Sequence, residues 1–125
     1  MANVDIVKSA YDSFAKGDIP RIIDLLDESV SWSSPLTLPQ GGQFTGKDGV
    51  MRFFESIGAA WASLSLDIEA LGAISDDLVV GVVSLKGELR SGGPASYRSA
   101  HVFTVRGDRI VGFREYVDAD KALAG

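Results

Sequence analysis

The sequence predicts an α+β fold in which three N-terminal helices pack into the hollow of a curved antiparallel sheet, a cone around a mostly apolar pocket. Three observations carry the prediction. Helical periodicity is confined to the first half of the chain, and the second half reads as long strands joined by short turns. No βαβ unit or glycine-rich phosphate loop occurs, which disfavours parallel nucleotide-binding architectures.

Over 4–15, Val4, Val7, Tyr11 and Phe14 recur at helical spacing, and Gly17 ends that helix. Asp18 is the expected N-cap of a second short helix, with Pro20 in its first turn and Ile19, Ile22, Ile23 and Leu26 as its apolar face. A short strand follows, in which Val30 and Trp32 alternate with serines. Pro35 stops it, and the loop carrying Pro39, Gly41 and Gly42 reads as a pocket rim. A third helix begins near Thr45 or Gly46, with Val50, Phe53, Phe54, Ile57 and Trp61 on its aromatic inner face. The remainder predicts an antiparallel meander over 63–75, 78–90, 95–106 and 109 to about 118, then a terminal helix or tail over 119–125.

A length of 125 residues fits one domain over 1–125, and 46% hydrophobic with 23% charged residues is an ordinary globular composition. The formal charge of -5 comes from scattered acids, so no basic stripe invites nucleic acid. The absence of cysteine excludes disulfides, thiolate metal ligands and a cysteine nucleophile, and it fits a reducing, cytoplasmic location. No export signal is read at the N-terminus, and no run reaches the roughly 20 apolar residues that span a bilayer. With a single histidine no metal site is expected, and none of the serines sits in a nucleophile elbow. Val102, Ile110 and Tyr116 fall on the mixed face of the last two strands, where a second copy is expected to pack as a homodimer.

The candidate chemistry lies on those same two strands. Tyr97, Ser99, His101, Phe103 and Val105 form the apolar face of one; Val111, Phe113, Glu115 and Val117 form that of the next. Register decides whether His101 and Glu115 meet. A two-residue loop at Gly107 and Asp108 puts His101 opposite Arg114, whereas a longer loop or a bulge puts it opposite Glu115. The apolar pattern favours the second, pairing Val105 with Val111 and Phe103 with Phe113. A carboxylate in a dry pocket is expected to have a raised pKa, and beside an imidazole it can exchange protons near neutral pH. A plainer reading stands beside it: a core histidine, and a glutamate paired with Arg98 or Arg114. Tyr11, Trp32, Phe54 and Trp61 are either cavity lining or simple core, and Tyr97, Phe103 and Phe113 join them as candidate substrate contacts.

The order of elements, with three local phrases, resembles the SnoaL-like group of the NTF2-like (cystatin-like) superfamily over nearly the whole chain. The phrases are Phe14-Ala15-Lys16-Gly17-Asp18-Ile19, Phe44-Thr45-Gly46-Lys47-Asp48-Gly49-Val50, and His101-Val102-Phe103-Thr104-Val105 leading to Gly112-Phe113-Arg114-Glu115-Tyr116-Val117-Asp118. That resemblance implies a cone-shaped fold hosting polyketide cyclases, ketosteroid isomerases, limonene-epoxide hydrolases, dehydratases and non-catalytic binders, so function is argued from the site. In the cyclases the last-strand base, an aspartate, and a nearby histidine correspond to Glu115 and His101. The Arg and Asp of the epoxide hydrolases fall on Val82 and Ser84, which leaves that triad incomplete. The isomerase base falls on Ser34, its oxyanion aspartate on His101, and its helix-one tyrosine close to Tyr11. The resemblance thus implies cofactor-independent cyclisation or isomerisation of an apolar carbonyl or polyketide-like molecule, with Glu115 as base and His101 orienting or sharing the proton. The alternative is a module that only holds a small ligand or a partner.

Overall fold

A computed structural model describes residues 2–117; the terminal helix or tail expected over 119–125 lies outside the described residues. Helix α1 (Asn3–Ala15) buries Ile6, Val7, Ala10 and Tyr11 along one stripe. Helix α2 (Ile19–Asp24) starts as expected, with the Asp18 carboxylate accepting from the Arg21 amide at 3.3 Å. It ends sooner than the apolar spacing predicts. Leu26 does not belong to its face but opens strand β1 (Leu26–Ser34), fully buried, because a leucine at that spacing satisfies either pattern.

The loop 35–41 is followed by a short strand, β2 (Gly42–Thr45), where the sequence predicts only a rim. Its register runs from Ser31↔Thr45 to Ser34↔Gly42, and four residues beginning with a glycine leave too little alternation to read. Helix α3 (Gly46–Ala60) then crosses β1 and β2. Trp61 is not on its inner face; it is the first residue of strand β3 (Trp61–Ala73), already extended at φ -116° and ψ 129°. Strands β4 (Leu78–Leu89), β5 (Pro94–Arg106) and β6 (Arg109–Val117) complete the meander. The sheet order is β2-β1-β6-β5-β4-β3, antiparallel except where β1 lies parallel to β6, a pairing the meander alone does not predict.

The β5–β6 hairpin combines the two registers that competed in the sequence. Gly107 and Asp108, at φ 55° and 60°, make a two-residue turn pairing Arg106 with Arg109. Val111 is then left out of the ladder, so that Val105 pairs with Ile110 but Thr104 pairs with Gly112. This bulge corrects two expectations: Val105 does not face Val111, and Ile110 is fully buried rather than part of the outer face. Beyond it Phe103 faces Phe113 and His101 faces Glu115. The core lies between the inner sheet face and the helices, from Ile6 and Val7 through Val50 and Phe53 to Val79, Val83 and Val105.

Candidate functional site

The inner face of β5 and β6 brings two ionisable side chains beneath α1. Glu115 accepts hydrogen bonds on one carboxylate oxygen from the Ser34 hydroxyl at 2.6 Å and on the other from the Ser99 hydroxyl at 2.9 Å. His101 Nε2 lies 3.1 Å from that second oxygen, and an ionised carboxylate only accepts, so Nε2 carries the proton between them. On the far side of the ring, His101 Nδ1 is 2.8 Å from the Tyr11 hydroxyl. With the imidazole neutral, Tyr11 donates to Nδ1; with it protonated, Nδ1 donates to the Tyr11 oxygen. One proton therefore sets the direction of the Tyr11–His101 link, while Glu115 accepts in both cases.

Electrostatics at this carboxylate differ from expectation. Burial alone pushes the Glu115 pKa up, but the hydrogen bond and electrostatic pull of His101, with the Ser34 and Ser99 hydroxyls, outweigh it and hold the carboxyl below its usual value. A dry pocket raises a carboxyl only when no donor replaces water. Burial first, and the Glu115 charge second, push the Tyr11 and Tyr97 phenols far above the ordinary tyrosine value, so both remain protonated donors. Nor does Glu115 pair with a sheet-edge arginine: Arg98 binds Glu69 at 2.9 Å, and Arg114 points out of the core.

Above these groups lies a small, mostly apolar cavity of about 70 Å³. Tyr11, Trp32, Phe54, Tyr97, Phe103 and Phe113 line it together with His101 and Glu115. Trp61 does not. It sits behind the wall, where its indole N–H donates to Gln40 at 3.1 Å. Trp32 stacks on Phe113 with ring centroids 4.1 Å apart, and its own buried N–H has no partner among the described residues, a loss of roughly 1–3 kcal/mol. Among the described residues only one carboxylate reaches the cavity, and the inner face of β4 presents Val79, Gly81, Val83 and Leu85 rather than an arginine and an aspartate. Among the described residues no group of three or more potential metal ligands is assembled, and no helix is long and apolar enough to cross a membrane.

Four residues have roles in the site that the sequence reading does not give them. Ser34 follows Val30 and Trp32 at strand period, so alternation alone could have turned it inward; Ser99 is on the inward set but lacked a partner. Gly81, paired with His101, is a glycine between buried valines, the sign of a close backbone approach. Gln40 gives no signal, because two successive turns in an irregular loop carry it into the core.

The fold and the chain both have relatives. A Mycobacterium tuberculosis (strain H37Rv) protein, itself uncharacterised, is 27% identical over 116 residues, 92% of this chain and 88% of that one. An NTF2-like protein of unknown function from Burkholderia pseudomallei superposes with a TM-score of 0.89 at 22% identity, covering 99% of this chain and 96% of its own. A second M. tuberculosis protein, solved in complex with estradiol-17β-hemisuccinate, superposes with a TM-score of 0.77 at 22% identity, covering 93% of each. At such identities the superpositions speak for the fold alone. The model of the SnoaL-like domain matches residues 7–113, a span that holds all three helices' cores, the bulged hairpin and His101; this chain belongs to the SnoaL-like domain family, on the NTF2-like fold.

Proposed function

We propose that this protein is a cofactor-independent acid/base enzyme acting on a small, largely apolar carbonyl compound, by cyclisation or isomerisation. The observation that carries the reading is a buried carboxylate, Glu115, that lines an aromatic cavity and is hydrogen-bonded to the only histidine. The oxygen facing Ser34 holds a single hydrogen bond and keeps a lone pair free. In the proposed step a C–H bond next to the carbonyl breaks, its proton passes to that oxygen, and its electron pair moves to the carbonyl oxygen as an enolate. A carboxylate held below its usual pKa is a weak base, so the carbon must already be acidic: a 1,3-dicarbonyl of the polyketide kind rather than a simple ketone. His101 orients the carboxylate by donating its Nε2 proton to the other oxygen, and the Tyr11 hydroxyl fixes the ring by donating to Nδ1. That a protein of the same fold holds a steroid ester supports an apolar ligand.

The test is exchange of the C2 proton of an aryl β-keto ester in D2O, followed by NMR. The protein accelerates it, Glu115→Gln returns it to the buffer rate, and His101→Ala slows it by about 10²-fold. A Glu115→Gln variant that exchanges as fast as the native protein would falsify the base assignment. One observation favours a second reading, a module that holds its ligand without turnover: three internal donors already engage the carboxylate. Saturable binding of the ester with no acceleration selects it. We also propose a homodimer through the outer face of β4, β5 and β6, where Val80, Val82, Val102 and Tyr116 lie on neighbouring strands.

A further inference from the structure

Three buried side chains beside the cavity form a hydrogen-bond chain whose direction is fixed by chemistry. The indole N–H of Trp61 can only donate, so the Gln40 atom it meets at 3.1 Å is the carbonyl oxygen. The Gln40 amide nitrogen is thereby turned to the Tyr97 hydroxyl, 3.2 Å away, and it too can only donate. Tyr97 accordingly accepts with its oxygen and must place its own proton elsewhere. No described residue receives it. With Gln40 at 2%, Trp61 at 4% and Tyr97 at 6% exposure, bulk water is largely kept from the chain, while Gln40 and Tyr97 both line the cavity. Trp32, which also lines the cavity, adds a buried N–H that lacks a partner among the described residues.

We propose that the cavity receives the carbonyl oxygen of a flat apolar ligand on the Tyr97 hydroxyl, with Trp61 and Gln40 as positioning residues that set the direction of that bond. The inference deepens the acid/base reading and rests on it for the class of ligand. An oxygen acceptor satisfies donors that a hydrocarbon would leave unpaired and that an ammonium group could not use. When Glu115 takes the adjacent proton, the negative charge develops on the oxygen that Tyr97 holds.

The experiment compares two probes of the same shape, 2-acetylnaphthalene and 2-isopropenylnaphthalene, which differ by an oxygen in place of a methylene. Calorimetric titration of the native protein should give about tenfold tighter binding of the ketone. Tyr97→Phe should bring the two probes to parity with the alkene affinity unchanged, which also reports that the variant is folded. Trp61→Phe should shrink the preference as well, because a freed Gln40 amide can turn and accept the Tyr97 proton. The infrared carbonyl stretch of bound ketone should lie lower in the native protein than in Tyr97→Phe. Equal binding of the two probes by the native protein, binding of neither, or a ketone preference that survives Tyr97→Phe overturns the proposal. Glu115→Gln should keep the preference, so that a failed exchange test removes the base while leaving the Tyr97 site standing.

Discussion

A carboxylate among aromatic rings would protonate if water were its only source of donors, and Glu115 stays charged because Ser34, Ser99 and His101 replace that water. Its folded pKa lies below that of the unfolded chain, about 4.3, so the contribution to stability is present above that value and is lost as pH falls through the folded one. Denaturation curves should therefore show the native protein losing stability more steeply than Glu115→Gln as pH is lowered from about 4.3, while at pH 7 the same substitution destabilises by about 1–3 kcal/mol through mismatched donors. Equal acid slopes for the two proteins would mean that Glu115 is not held ionised by folding. The identity of this pair could be read from alternation on two strands, but its charge state could not. That depended on His101 first and then on two hydroxyls, Ser99 and Ser34, the last brought from β1 by a parallel pairing with β6 that no local pattern encodes.

The elements meet closely at one point, where α1 lays Tyr11 across β4 and β5. A Cβ at Gly81 would stand 2.7 Å from the Tyr11 hydroxyl oxygen, so the absence of a side chain there is what lets the phenol reach His101. Gly81→Ala should break that hydrogen bond and cost about 1 kcal/mol in thermal or chemical unfolding. In a Tyr11→Phe background the obstructing oxygen is gone, the ring carbon is at 3.5 Å, and the same alanine should be neutral or stabilising by up to about 1 kcal/mol, since glycine is poor in a strand. Additive effects in this double-mutant cycle would refute the steric account. The β5–β6 hairpin shows the same limit on legibility: alternation demanded that Phe113 and Glu115 face inward, yet only the folded ladder shows Val111 expelled and Ile110 inward. Leu26 and Trp61 moved from helix to strand for a related reason, since a single apolar residue at an element boundary fits either period.

On the scale of the whole molecule, helical periodicity followed by long alternating strands was enough to predict a curved sheet wrapped on helices, because each surface had one apolar side to hide. What that logic leaves open is the second side of the sheet. The three helices pack on the inner face, while Val80 pairs with Val102 and Ala100 with Tyr116 on the outer one, and Tyr116 is 53% exposed. Glu69, Arg98 and Ser84 lie on the same face beside these residues, and exposed Arg114 faces Val102 across the β5–β6 pair. A stable pairing requires about 800 Å² from each copy. Light scattering should give twice the chain mass, and Val102→Lys, which sets an ammonium in the middle of the patch, should weaken association at least about tenfold. Because Val102 points away from the cavity, the variant should keep its ketone preference and its proton exchange. A native protein that scatters as a single chain at micromolar concentration would show that this face meets solvent alone.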